Sequence, residues 1–262
     1  MTESAAPQFN DGASYERMMG KWSQLAGAVF LDWLAPRAGM TWIDIGCGNG
    51  AFTEMIADRC APATLDGIDP SDAQLAFARS RPGLATARLQ RGDAMALPFA
   101  DDTFEAAAMA LVIFFVPEPV RGVAEMVRVV RPGGLVAAYA WDLTRGGFPI
   151  YAVGEELQAL GSTPLRAPRA EVSRMENLKA LWREAGLEAI ETREIVVERT
   201  FANFEHFWSI VLDSNAAAPI LALDVDRRQL LRERVAARLP CDHAGRITYT
   251  ARANAIKGRR PR

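Results

Sequence analysis

The chain has 262 residues, half of them hydrophobic, so it is long enough and apolar enough to bury one sizeable core. Its formal net charge of −2 argues against a nucleic-acid partner, and its one basic cluster, residues 257–262, is interpreted as a solvated, frayed end. Three cysteines at spacings that fit no metal motif favour a cytoplasmic setting. We expect no signal peptide and no membrane insertion, and the sequence leaves the oligomeric state open.

Residues 1–14 are polar and are predicted to be disordered, and a helix is predicted from Tyr15 to about Leu34. Short apolar segments then alternate with amphipathic ones, which is typical of a parallel sheet with helices on both faces. The predicted strands are 41–46, 63–69, 85–93, 104–115 and 133–142. The predicted helices between them are 51–60, 71–81 with Ser71 as the N-cap, and 119–131.

The pattern changes after residue 145, where two alternating segments, 188–201 and 245–256, are separated by helical ones. They predict an antiparallel pair of strands that closes one edge of the sheet. The insertions at about 146–172 and 202–243 would lie over the carboxyl ends of the strands, where ligands bind in such folds. We therefore predict one domain over 15–262, with a core at about 36–145 plus the two late strands, and two insertions that form a lid.

A glycine-rich loop joins the first predicted strand to the helix after it, in the stretch TWIDIGCGNGAF that begins at Thr41. Gly46, Gly48 and Gly50 allow positive φ and let a ligand approach the backbone closely. The helix start adds N–H groups suited to an anion. The loop therefore predicts a ligand crevice above the sheet.

Three acidic residues, Asp44, Asp69 and Asp93, stand at the ends of three successive predicted strands. Asp69 follows Gly50 by 19 residues, where a carboxylate can accept hydrogen bonds from ribose hydroxyls. Asp93 could accept from the exocyclic amine of a purine. Each acid alone can also be a strand-end turn residue, but three beside one glycine loop favour a nucleoside site.

Two ligand classes fit this pattern. Positions 46, 48 and 51 match the dinucleotide fingerprint G-x-G-x-x-A. However, Asp44 beside a pyrophosphate would be electrostatically unfavourable, whereas it suits a cationic amine. The sequence therefore favours a nucleoside that carries an amino acid over NAD.

Several stretches together resemble class I S-adenosylmethionine-dependent methyltransferases, of the subgroup similar to ubiquinone/menaquinone-biosynthesis methyltransferases. The stretches are WIDIGCGNGAFT, GIDPSDAQLAFAR, RGDAMALPFADDTFEAA, LVIFFVPEPVRGVAEMVRVVRPGGLVAAYAWD and, more loosely, YERMMGKWS. The resemblance implies an α/β, Rossmann-like sheet of seven strands with an antiparallel last strand. It also implies S-adenosylmethionine as cofactor and methyl transfer to an O, N or C atom of a small molecule.

The resemblance also implies roles for individual residues. The methionine end of the cofactor would contact Asp44, Gly46, Gly48 and Leu111. The ribose and adenine would contact Asp69, Pro70, Gln74, Asp93 and Ala94. Two weaker assignments from the N-terminal helix are Tyr15, at the methionine carboxylate, and Trp22 beside it.

One departure from the family concerns Phe114 and Phe115, which stand where many relatives carry two histidines. These phenylalanines either form aromatic walls for a flat apolar acceptor or fill the core. His206 and Trp208, in the second insertion, are further candidate acceptor contacts, although both also suit helix packing. No catalytic residue and no metal ligand is assigned.

Two other functions stay open at this point. An NAD-dependent oxidoreductase would use the same loop and Asp69. A non-catalytic module would bind the nucleoside and regulate a partner without transferring a methyl group.

Overall fold

The computed structural model of the protein describes residues 19–163, 167–214 and 217–262. Seven strands form one sheet in the spatial order β3-β2-β1-β4-β5-β7-β6. The strands are β1 Thr41–Ile45, β2 Thr64–Asp69, β3 Arg88–Arg91, β4 Phe104–Ala110, β5 Val130–Trp141, β6 Glu188–Phe201 and β7 Ile247–Arg259. The first five strands pair in parallel, and β7 lies antiparallel between β5 and β6. The predicted antiparallel pair at the sheet edge is confirmed.

The described α-helices cover both faces of this sheet. They are α1 Lys21–Leu34, α2 Ala51–Cys60, α3 Asp72–Arg79, α4 Pro119–Val129, α5 Tyr151–Ala159, α6 Met175–Glu184, α7 Phe204–Leu212, α8 Ala217–Leu221 and α9 Val225–Arg238. On one face, Phe30 of α1 and Phe52 of α2 pack on Tyr139 of β5, with ring centroids 4.7 Å and 5.8 Å away. On the other face, Trp182 of α6 contacts Gly258, the partner of Val136 in the sheet.

The sequence signals that open the helices are visible in the structure. The Ser71 hydroxyl accepts the Gln74 N–H at the start of α3, as predicted for an N-cap. Asn203 and Asp224 cap α7 and α9 in the same way. The helix starts that position the loops above the sheet are therefore fixed by local hydrogen bonds.

Strand β4 ends earlier than its apolar sequence predicts, and the predicted strand 104–115 is wrong beyond Ala110. Leu111 adopts a left-handed conformation with φ of 62°, which no strand residue can keep. A short 3₁₀ turn, Ile113–Phe115, follows it. The chain therefore turns over the carboxyl edge of the sheet, although its hydrophobicity is unbroken.

The basic C-terminal stretch is not a frayed end, because Lys257 to Arg259 are part of β7. The Arg260 guanidinium pairs with Asp102 and also donates to carbonyl oxygens where α4 meets β5. Those carbonyls belong to Val127, Arg128 and Val130, at 3.1 Å, 2.9 Å and 2.7 Å. Most of the cluster is therefore bound to the fold.

The segments between β5 and β7 are joined to one another by polar contacts. The Arg238 guanidinium of α9 forms ion pairs with Glu155 and Glu156 of α5, at 2.6 Å and 2.9 Å. The Tyr249 hydroxyl of β7 accepts the Ala152 N–H at 3.3 Å. Within the described ranges, no helix is both long enough and apolar enough to cross a bilayer.

We predict that Arg260→Ala lowers the free energy of unfolding by about 1–3 kcal/mol, since carbonyls at the junction of α4 and β5 lose a charged donor. Urea unfolding followed by circular dichroism measures this change. The exposed Arg262→Ala serves as the matched control and should change stability by less than about 0.5 kcal/mol. Equal effects of the two substitutions would show that Arg260 has no special structural role.

Candidate functional site

The glycine loop crosses from β1 to α2 beside the end of β2. The backbone N–H groups of Gly46 and Cys47 both donate to the Ile68 carbonyl, at 2.8 Å and 2.9 Å. Gly46 has φ of 76°, and a Cβ there would lie 2.5 Å from both methyl groups of Val112. The turn after β4 therefore requires glycine at position 46, because the Val112 side chain packs directly on it.

Gly48 is the position where the backbone is open towards a ligand. Its φ is 52°, and a Cβ there would have no atom closer than a backbone oxygen at 4.0 Å. The Gly48 N–H donates to the Asp69 Oδ2 at 2.9 Å, which joins the loop to the end of β2. The loop thus holds one of the predicted acids in place.

A cavity of about 700 Å³ lies above this loop, within the size range of small-molecule sites. The polar residues of its lining, called here its polar side, include Asp44, Gly48, Asn49, Asp69, Ser71 and Gln74. The apolar residues, called here its apolar side, include Phe52, Ala110, Leu111, Val112, Phe115 and Tyr139. The site therefore suits a ligand with one polar, cationic part next to an apolar region.

Asp44 on β1 carries the most unusual electrostatics of this cavity, because its side chain is only 1% exposed. Its Oδ2 accepts a hydrogen bond from the Thr53 hydroxyl at 2.6 Å, while the buried Oδ1 has no partner among the described residues. Burial raises the pKa of Asp44 from 3.8 to about 7; the Thr53 hydrogen bond opposes the shift and nearby Asp69 adds to it. The carboxylate therefore lacks a cationic or hydrogen-bonding partner that a ligand can supply.

Asp69 at the end of β2 is held by backbone donors on both oxygens. Its Oδ1 accepts the Ser71 N–H and its Oδ2 the Gly48 N–H, each at 2.9 Å. Burial raises the pKa of Asp69, and these two hydrogen bonds counteract the shift. Each carboxylate oxygen can accept a second hydrogen bond, so the oriented group suits a diol.

The apolar side of the cavity is built by the turn after β4. Leu111 keeps its left-handed backbone because its N–H donates to the Tyr139 carbonyl at 2.8 Å. Phe115 lines the cavity and packs edge-on against the buried Phe114, with ring centroids 4.7 Å apart. A non-glycine residue at positive φ stores strain, which is common at functional sites.

Eight of the residues predicted from the sequence meet at this one cavity. They are Asp44, Gly46, Gly48, Asp69, Pro70, Gln74, Leu111 and Phe115. The roles assigned to them remain predictions, but their convergence is what a shared ligand requires.

Six other predicted residues do not line the cavity. Asp93 is exposed and accepts the Met95 N–H at 2.8 Å, in a turn that also contains Ala94. Trp22 is buried against Tyr249, and Phe114 lies in the core. In α7, His206 is exposed and accepts the Ala202 N–H, whereas Trp208 is buried and stacks on Phe204. Tyr15 lies outside the described residues.

Sequence reasoning missed several residues of the site. Ser23 of α1, Val112 and Tyr139 line the cavity, and Thr53 holds Asp44. Val112 and Tyr139 carry no sequence signal beyond hydrophobicity. Thr53 stands three residues after Gly50, on the first turn of α2. A hydroxyl at this position can reach Asp44 at the end of β1, and this was the one signal in the sequence for Thr53.

Cys47, within the loop, also lines the cavity but is not a candidate nucleophile. Burial raises the pKa of its thiol well above the ordinary value, and the charges of Asp44 and Asp69 add to the shift. The thiol therefore stays protonated at neutral pH, and Cys47 is a small packing residue of the loop.

Comparison with known proteins bears on what binds here. Residues 43–138 match the family model described as a methyltransferase domain. The chain is 37% identical over 110 residues to the ubiquinone/menaquinone biosynthesis C-methyltransferase UbiE of Roseobacter denitrificans, covering 40% of this chain and 44% of that protein. It is 30% identical over 157 residues to the fatty-acid O-methyltransferase of Mycolicibacterium smegmatis, covering 60% and 53%. The chain thus spans about half the length of the curated relatives it matches.

Solved structures share the fold at low sequence identity. The YcgJ protein of Bacillus subtilis aligns with a TM-score of 0.63 at 17% identity, covering 90% of this chain and 98% of that one. Phosphoethanolamine N-methyltransferase 2 of Haemonchus contortus, in complex with S-adenosyl-L-methionine, aligns with a TM-score of 0.60 at 16% identity, covering 95% and 56%. These likenesses show that the chain shares the Rossmann-like fold of these proteins.

We predict that the protonated Asp44 carboxyl contributes stability that is lost as the pH rises from about 4 to about 8. The raised pKa of Asp44 means that the native state holds this proton more tightly than the unfolded state. The stability from the protonated carboxyl is therefore complete below about pH 4 and is lost as the pH passes through about 7. Asp44→Asn removes this loss, so at pH 8 the variant should be more stable than the parent by on the order of 1–4 kcal/mol.

Urea unfolding of both proteins at pH 5, 6, 7 and 8 measures this difference. The exposed Asp58→Asn is the matched control and should follow the pH dependence of the parent protein. If Asp44→Asn follows it as well, Asp44 is ionised at neutral pH in the ligand-free protein and the electrostatic description is wrong.

Proposed function

Because residues 43–138 belong to the methyltransferase domain family, we propose that the protein transfers a methyl group from S-adenosylmethionine to a small-molecule acceptor. The observation that carries the proposal is the buried Asp44 carboxyl group, whose Oδ1 lacks a partner in the described chain and whose residue lines a cavity together with Asp69. A cationic amine is the complement that Asp44 lacks, and a ribose suits Asp69. An amino-acid nucleoside carries both groups.

The residues of the cavity fit this cofactor. When bound, S-adenosylmethionine supplies a methyl group that is already activated by a sulfonium. Asp44 would hold the ammonium, and the backbone of Gly48 would lie along the amino-acid part. Asp69 would accept from the ribose hydroxyls, with Pro70 and Gln74 beside the sugar and base.

The apolar side of the cavity would receive the methyl acceptor. Leu111, Val112 and Phe115 would exclude water and align the accepting O, N or C atom with the activated methyl. Apolar acceptors are in keeping with the relatives, one of which is named for fatty acids and another for ubiquinone and menaquinone biosynthesis. We infer an acceptor with an apolar body.

We propose further that the segments at about 146–172 and 202–243 cover the acceptor side as a lid. The ion pairs of Arg238 with Glu155 and Glu156 connect the two segments. Tyr249 also connects them, since it accepts the Ala152 N–H and stacks on Phe207. Such a cover would keep water from the reacting atoms.

We place the reaction in the cytoplasm, with a small molecule and not a nucleic acid as acceptor. Cys47, Cys60 and Cys241 are all free thiols, which suits a reducing compartment. A net charge of −2 does not suit a polyanionic partner.

We predict that S-adenosylhomocysteine binds with release of a proton at pH 6–7. Asp44 has a pKa of about 7 in the free protein, and a cation placed beside it lowers that pKa and displaces the proton. Affinity should therefore rise from pH 5.5 to 7.5, by at most about tenfold per pH unit, and then level off.

Isothermal titration in two buffers of different ionisation enthalpy measures the released proton. Asp44→Asn should bind more weakly and release none. Absence of binding by the parent protein would refute the proposed function, and binding without proton release would refute the role of Asp44.

We also predict that the protein transfers label from methyl-labelled S-adenosylmethionine to a compound in a metabolite extract. Mass spectrometry identifies the labelled compound, and Asp44→Asn should abolish or strongly reduce its formation. Tight cofactor binding with no labelled product from any extract fraction would instead indicate a non-catalytic binding module.

A further inference from the structure

Helix α1 approaches the start of α2 unusually closely at Gly27. A Cβ on Gly27 would lie 3.1 Å from the Met55 Sδ and 3.2 Å from the Phe52 Cδ2, so only a residue without a side chain fits comfortably. Ser23 precedes Gly27 by one helical turn and therefore lies on the same face. This geometry brings Ser23 to the cavity, next to the first turn of α2.

The Ser23 hydroxyl is buried and unpaired. The residue is 8% exposed, and its Oγ has no hydrogen-bond partner among the described residues, including the Met19 carbonyl one turn earlier. Helical serines commonly bond that carbonyl, and buried hydroxyls are rarely left without a partner. Since Ser23 lines the cavity, a ligand can supply the missing partner.

A second residue of the cavity lining, Asp44, also has a buried polar atom without a partner in the described chain, its Oδ1. A carboxylate oxygen calls for a cation, and a hydroxyl can donate to an anion. The two atoms together are complementary to a zwitterion, and an α-amino acid is one.

The surroundings of Ser23 favour the anionic half of such a zwitterion. Ala51 and Phe52 open the ten-residue helix α2 and line the same cavity, so the positive end of the helix dipole lies nearby. Glu54, the acid in that first turn, is neutralised by an ion pair with Arg81 at 2.9 Å.

We propose that Ser23 is a cofactor-binding residue whose hydroxyl donates to the carboxylate of the amino-acid part of S-adenosylmethionine, while Asp44 binds the ammonium. This inference rests on the proposed function. It gives α1 a direct part in recognising the donor and separates the two ends of its amino acid between two elements of the fold.

The test compares two probes on the full chain, S-adenosylmethionine and decarboxylated S-adenosylmethionine, which keeps the ammonium but lacks the carboxylate. Ser23→Ala should weaken binding of the first about tenfold, the loss expected for a hydrogen bond to a charged group. It should change binding of the second less than twofold. The exposed Ser80→Ala is the matched control and should change neither.

The titrations distinguish the role of Ser23 from the proposed function. An equal loss of affinity for both probes, or no loss for either, would overturn the role of Ser23. Failure of the parent protein to bind S-adenosylmethionine would instead overturn the proposed function. Because Ser23→Ala removes a hydroxyl that has no partner in the ligand-free state, its melting temperature should not fall, and a lower one would indicate a structural hydrogen bond.

Discussion

The cost of burying the Asp44 carboxylate is the physical constraint on which the site depends. A carboxylate away from water is unfavourable unless it is paired, and only one of its oxygens has a donor, the Thr53 hydroxyl. The negative charge of Asp69, on the neighbouring strand, further disfavours the ionised form of Asp44. The Asp44 carboxylate is therefore only partly compensated within the described chain, and a cation beside its Oδ1 would stabilise the ionised form.

Two backbone positions near this carboxylate, Gly46 and Leu111, adopt the left-handed conformation. The Val112 side chain packs where a Cβ of Gly46 would be. The loop that carries the polar side and the turn that carries the apolar side are thus locked together. A larger side chain at Gly46 would therefore displace both the glycine loop and the turn after β4. Core packing thus sets the distance between these two segments.

Features of the fold that depend on neighbouring residues could be predicted from the sequence, whereas features that depend on tertiary contacts could not. The alternation of strands and helices, the N-cap at Ser71 and the convergence of Asp44 with Asp69 follow from periodicity and turn residues. The end of β4 cannot be predicted in this way. The chain turns at Leu111, whose N–H donates to the Tyr139 carbonyl, and a continuous apolar sequence gives no signal of this tertiary hydrogen bond. Arg260 is similar: only the folded state brings it to carbonyls about 130 residues away in the chain. The place of Ser23 in the cavity lining could not be predicted for the same reason, since its burial depends on the packing of α1 against α2.

The polar and the apolar residues of the cavity are held in place by different parts of the fold. The polar side is held by the backbone N–H groups of Gly48 and Ser71, which donate to Asp69, and by the Thr53 hydroxyl, which donates to Asp44. The apolar side depends on the turn after β4, where Phe115 contributes only shape. The segments around α5 and α7 to α9 add side chains beyond the sheet without taking part in its hydrogen bonding. A substitution of Phe115 would therefore change the shape of the cavity while leaving the hydrogen bonds between Gly48, Asp69 and Ser71 in place.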